Sequence, residues 1–194
     1  MTWQTRRTGL VPTPAPTTRF SEKSALHEET RPSAPEPEPG VRFHRGEGRH
    51  LIDVHNHYRG EVARVRAIVR RVREGTTGIG DARGEINRMT LRGICQNQCA
   101  ALTQHHTMET ALIFPYLRGR QPDLAEVLDR LNEEHEVIHS LLEAVDAALV
   151  HLVREPTDFV PVTEAVDLLT DTLLSHFAYE ERELVAPLSR YGFY

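Results

Sequence analysis

The chain has 194 residues, enough for one domain and a tail. Its 23 lysines and arginines against 28 aspartates and glutamates give a mildly acidic field, which argues against nucleic acid as the main partner. It has two cysteines, no apolar run long enough to span a membrane and no apolar segment near the amino terminus. Those three features exclude a disulfide scaffold, a membrane span and a secretory signal, so the expected protein is soluble and cytoplasmic.

Residues 1–47 hold seven of the twelve prolines, including "RPSAPEPEPG", and show no apolar periodicity. The expectation is a disordered Pro-rich tail over 1–47 and a folded domain over 48–194. A first helix is predicted from about Arg49 to Glu74, stopping at Gly75, and is followed by the Gly-rich link "GTTGIG". A second runs from about Asp81 to Leu117, with a kink expected near Pro115. After a turn at "GRQP", a third begins near Asp123, where Glu126 completes a capping box, and runs to about Arg154 ahead of Pro156. A fourth runs from about Asp158 to Leu188, with Pro161 tolerated in its first turn. No segment alternates as a strand does. Four long helices with short links read as an all-α, up-down-up-down four-helix bundle.

Each helix carries an apolar stripe at steps of three and four. The stripe of the first is Leu51, His55, Tyr58, Val62, Val65, Val69 and Val72, and that of the second is Leu91, Ile94, Gln98, Leu102, His105, Glu109 and Leu112. The third reads Leu128, Leu131, His135, Ile138, His139 and Leu142, and the fourth Val162, Val166, Leu169, Leu173, His176, Glu180 and Leu184. His55, His105, Glu109, His135, His139, His176 and Glu180 therefore face inward in one polar layer. His106, about 100° round from His105, is expected to point to a neighbour or to solvent and to serve at most as a group behind a ligand. His57 falls on the surface. Tyr58 packs in the core or hydrogen-bonds a bound ligand. Gln98 is a candidate donor behind His105, and Cys95 and Cys99 read as small buried hydrophobes. The arginines of the first helix, Arg59, Arg64, Arg66, Arg70, Arg71 and Arg73, read as a solvated face.

Five imidazoles and two carboxylates left unpaired in a core are unfavourable by several kcal/mol, which metal ions offset. Seven side-chain ligands exceed what one ion accepts. A carboxylate can bridge two ions, so two bridging glutamates and five terminal histidines leave room for a solvent bridge and one open position. With two divalent ions and a hydroxide the buried charge is about +1.

The quoted segments "VHNHYR", "HHTMETALIFP", "HEVIH" and "HFAYEE" give one histidine, HxxxE, HxxxH and HxxxE on successive helices. Over residues 49–191 this pattern resembles the hemerythrin-like HHE cation-binding domain. The resemblance implies two iron ions joined by an oxo or hydroxo bridge, with His135, His139 and His176 on one and His55 and His105 on the other. Glu109 and Glu180 would bridge. Oxygen carriers of the family have HxxxxD on the last helix. Here Glu180 stands at +4 and Glu181 at +5 from His176, and helical phase favours Glu180. The function so implied is binding of a small diatomic, O2 or NO, at the open iron position for sensing, storage or scavenging. The alternatives are a di-iron oxidase or peroxidase, or a factor repairing iron–sulfur centres. No general base or substrate pocket is visible beyond the metal layer, so no catalytic residue is assigned. A further alternative is a metal-free interaction bundle using the tail and the arginine face. A ferritin-type site needs two ExxH pairs, and only Glu136–His139 fits.

Overall fold

In the computed structural model of the protein, the described residues are Leu26, 30–35, 46–74 and 88–193, with side chains described at all of these except 72 and 88–96. Helix α1 spans Glu47–Arg73 and α2 Arg88–Met108. A π-turn, Glu109–Ile113, joins α2 to α3, Phe114–Arg120, so that the three form one continuous rod. A 3-10 turn at Pro122–Leu124 leads into α4, Ala125–Arg154, and α5 spans Val160–Tyr191. No strand occurs among the described residues. The predicted glycine link, the start of the second helix at 81–87 and the side chains of Leu91, Ile94, Cys95 and Val72 lie outside the described residues.

The helices pack as a bundle: α1 against α5, α5 against α4, α4 against α2, and α2 back against α1. The apolar stripes read from the sequence account for this. Leu51, Tyr58, Val65 and Val69 are buried on α1, and Val162, Val166, Leu169, Leu173 and Leu184 on α5. Two apolar clusters result. One is centred on Tyr58, Leu102, Ile138, Leu142, Leu169 and Phe177. The other is centred on Phe114, Leu117, Leu128, Leu131, Tyr179 and Leu184. Between them lies a buried layer containing His55, His106, Glu109, His135, His176 and Glu180.

Three expectations are corrected. The capping box of α4 does not form: Leu124 is its N-cap residue, with no side-chain hydrogen bond, because the 3-10 turn takes up the first turn. Leu112, expected in the core, is 53% exposed. The cause is the π-turn, which adds a residue to one helical turn, so the buried line passes from Glu109 to Phe114 and Leu117. Pro115 stands two residues after the turn; its ring cannot sit against the carbonyl four residues back, which lies within the turn, in a straight α-helix, and the wider turn relieves that clash. Finally, residues 30–35, expected within a disordered tail, lie against the bundle, with Ala34 packed on the second apolar cluster. Leu26, also within the predicted tail, is buried as well, and the rest of that expectation, residues 1–25, 27–29 and 36–45, lies outside the described residues.

Candidate metal centre

The polar layer divides into two groups of ligand-type side chains whose donor atoms converge. One is His106, His135 and His176; the other is His55, His105, Glu109 and Glu180. Each carboxylate reaches one histidine of each group. Glu109 Oε1 lies 3.2 Å from His105 Nε2, and its Oε2 lies 3.6 Å from His135 Nε2. Glu180 Oε2 is 3.4 Å from His55 Nε2 and 3.4 Å from His176 Nε2. His55 Nε2 and His105 Nε2 are 3.3 Å apart, and the His106 and His135 rings stack at 4.1 Å.

Two sequence expectations change places. His139 stands 57% exposed beside Glu143 on the rim of α4, with Nε2 to Oε1 at 3.7 Å, and the fold does not bring it to either group. His106 is buried and joins His135 and His176 instead. Helical phase explains both. Relative to Leu102, His105 and His106 lie at about −60° and +40°, so both fall on the inward face that Leu102 and Glu109 define. On α4 the line through Leu131, His135, Ile138 and Leu142 leaves His139 and Glu134 each about 70° from its centre, on opposite edges, and it is the Glu134 edge that meets α5 at His176 while the His139 edge faces solvent.

The far side of three rings is held by hydrogen bonds. His55 Nδ1 lies 2.9 Å from Glu181 Oε1, which also receives Arg59 at 2.8 Å. His176 Nδ1 lies 3.0 Å from Glu134 Oε2. His135 Nδ1 lies 3.0 Å from Thr110 Oγ1, whose own proton goes to Asn132 Oδ1 at 2.9 Å, so the imidazole is the donor. In all three, a proton on Nδ1 leaves Nε2 facing the layer, the arrangement typical of a metal-binding histidine. Glu181 thus stands behind His55, while Glu180 stands in the layer.

Two other candidates have different partners. The Tyr58 hydroxyl donates to the Ala101 carbonyl at 3.0 Å, and its ring centroid is 5.4 Å from that of His105. Gln98 donates to Glu61 at 3.0 Å and backs no histidine of the layer. Cys99 is partly buried, and burial pushes its thiol up. Glu134, Thr110 and Arg59 were not expected from the stripes. Glu134 and Thr110 sit beside inward residues in sequence, but the partner each takes becomes visible only when the helices are packed.

Charge in the layer is uneven. Burial holds His105 and His135 at about 4 and about 3, and takes His106 well below the ordinary imidazole range, so all three are neutral near pH 7. Burial also pulls on His176, but the hydrogen bond to Glu134 and the Glu180 charge beside the ring outweigh it and raise the group to about 9. Burial, reinforced by the Glu180 charge, raises Glu109 well above the carboxylate range. Glu180 itself overcomes burial through His176 and His55 and stays ionised.

Seven buried atoms of this layer have no hydrogen-bond partner: both oxygens of Glu109, both of Glu180, and Nε2 of His106, His135 and His176. Buried polar atoms in native proteins are nearly always paired, so their convergence is the mark of a ligand set. The donors are imidazole nitrogens and carboxylate oxygens, which suit first-row transition metals. The residues present therefore fit a metal centre.

Comparison with known proteins agrees. A family model described as the hemerythrin HHE cation binding domain matches residues 49–188. No curated protein matches the chain, and no solved structure does. The match spans most of the sequence and all four helices that build the layer, and the chain belongs to the hemerythrin HHE cation-binding domain family.

Proposed function

We propose that the protein is a non-haem di-iron protein that binds a small diatomic ligand, O2 or NO. The observation that carries this reading is the pair of converging donor groups with both carboxylates between them. His106, His135 and His176 would hold one iron, and His55 and His105 the other, with Glu109 and Glu180 shared. His106 takes the place that the sequence pattern assigned to His139. When bound, the irons supply redox chemistry and an exchangeable position for the ligand, on the side that has two imidazoles rather than three.

The chain's own residues do the rest. Glu181, Glu134 and Thr110 fix the Nδ1 protons of His55, His176 and His135, which orients each Nε2 and keeps the rings from turning. Phe177 stacks on His55 at 4.2 Å, and Phe114 lies 5.5 Å from His135, so apolar rings flank the layer and limit water. An apolar cavity lined by Tyr58, Val62, Leu102, Val166 and Leu173 lies behind Tyr58, whose ring centroid is 5.4 Å from that of His105, and its lining suits an uncharged diatomic. A metal-free interaction bundle would leave seven buried atoms unpaired, and each buried group so stranded costs about 1–3 kcal/mol. Among the described residues, no helix is long and apolar enough to cross a membrane.

The test is anaerobic loading with ferrous iron, followed by separate titrations with O2 and NO under optical and Mössbauer observation. The reading predicts two irons per chain and a spectral change with at least one of the gases at one iron. Two irons with no response to either gas would leave a metal protein without the proposed ligand function.

A further inference from the structure

Resting on the metal reading above, we infer that the segment 30–35 is a latch in which Arg31, acting through Glu134, positions His176 for its metal. The Arg31 guanidinium meets Glu134 with two bonds, Nε to Oε1 at 2.7 Å and Nη2 to Oε2 at 3.0 Å. The same Glu134 Oε2 accepts the Nδ1 proton of His176 at 3.0 Å. All three side chains are nearly removed from solvent, at 6%, 3% and 0% exposed for Arg31, Glu134 and His176. A two-point fork of this kind fixes the plane of a carboxylate as well as its charge. Fixing that plane fixes the direction from which the His176 proton is held, and hence where His176 Nε2 points.

The segment is tied down at four further points, so Arg31 does not arrive by chance. Tyr179 donates its hydroxyl to the Pro32 carbonyl at 2.9 Å, and the guanidinium lies over the Tyr179 ring at 4.6 Å from its centroid. The Ala34 N–H donates to Glu183 Oε2 at 2.5 Å, and Arg130 reaches Thr30 Oγ1 at 3.1 Å. The two sides of the centre differ here. His55 is backed by Glu181 and Arg59, both on helices of the bundle. His176 is backed by a carboxylate whose arginine comes from outside the helices. The latch therefore acts on the His106, His135 and His176 side alone, and Arg31 is a positioning residue, not a ligand.

The experiment uses the full-length chain loaded anaerobically with ferrous iron and challenged with a ferrous chelator. In Arg31→Met, one of the two irons is expected to leave about tenfold faster than in the wild type, the other at the wild-type rate. Arg31→Lys, which restores the charge but not the fork, is expected to fall between. Equal release from Arg31→Met and wild type overturns the latch, and so does equal acceleration of both irons, the mark of a merely loosened bundle. A second arm needs no metal. In metal-free protein with labelled histidine, the His176 Nδ1 proton is expected to exchange with water faster in Arg31→Met than in wild type. Unchanged exchange overturns the latch whatever the outcome of iron loading, so failure of the latch and failure of the iron reading are distinguishable.

Discussion

Glu109 and Glu180 occupy equivalent positions, one turn after His105 and His176, yet replacing them in the metal-free protein is expected to change stability in opposite directions. Both oxygens of Glu109 are buried without a hydrogen bond, and burial together with the Glu180 charge raises its carboxyl well above the carboxylate range. Stranding a buried polar group costs about 1–3 kcal/mol, and methionine has nearly the same volume with no polar oxygen. Metal-free Glu109→Met is therefore expected to be more stable than wild type by about 1–3 kcal/mol, a rise in Tm of several degrees for a chain of 194 residues. Glu180 is the ionised partner of His176, which is charged up to about 9. Glu180→Met removes one of the two carboxylates beside that charge, leaving Glu134 alone to pair with it, and is expected to lower stability by about 1–3 kcal/mol. Iron reverses the first result. A metal at a thousand times its Kd adds about 4 kcal/mol to wild type, and loss of a shared ligand reduces that gain in Glu109→Met. Calorimetry at pH 7, with chelator and then with ferrous iron under nitrogen, measures all four quantities. Metal-free Glu109→Met melting below wild type, with iron raising both proteins alike, would show that Glu109 is neither stranded in the metal-free core nor a ligand.

Three further outcomes are expected. His106→Leu should lose iron while His139→Leu, altering an exposed side chain, should keep it, as metal analysis of the reconstituted proteins will show. The reverse pattern would restore the assignment read from the sequence stripe. Gly48→Ala should destabilise by about 1–3 kcal/mol without altering metal content, because an added Cβ meets the Val185 carbonyl oxygen at 2.6 Å; urea midpoints check it. In the metal-free protein, stability should fall on both sides of about pH 6.5. His105 and His135, lowered to about 4 and about 3, bind fewer protons folded than unfolded, so their contribution is present above 6.5 and lost as pH falls. His176, raised to about 9, contributes fully below 6.5 and loses that contribution as pH rises through 9. Urea midpoints from pH 4 to 9 that rise or fall monotonically would contradict this balance.

The sequence carried the fold because four stripes at steps of three and four each mark one buried face, and the observed helices bury those faces. It carried His55, His105, Glu109, His135, His176 and Glu180 into one layer by the same periodicity. The error at His106 and His139 came from treating a stripe as a line, when the inward face of a helix is an arc wide enough for neighbours. "HH" in α2 puts both rings inside that arc, while the second histidine of "HEVIH" falls outside it. The exposure of Leu112 was hidden because a π-turn resets the helical phase without a signature in residue type alone, although Pro115 sits where such a reset is needed. Arg31 was illegible for a different reason. It lies in a Pro-rich segment with no periodicity, and its partner Glu134 is 103 residues away. Long-range polar pairs of this kind are set by packing and have no local pattern to read.

A two-metal centre in the polar layer, as proposed, fixes the number of irons the chain holds. Full-length protein reconstituted anaerobically with ferrous iron and freed of excess metal should carry two irons per chain by native mass spectrometry, with both retained in His139→Leu and fewer in His106→Leu. One iron per chain in the wild type, or none, would mean that the layer is not a two-metal centre.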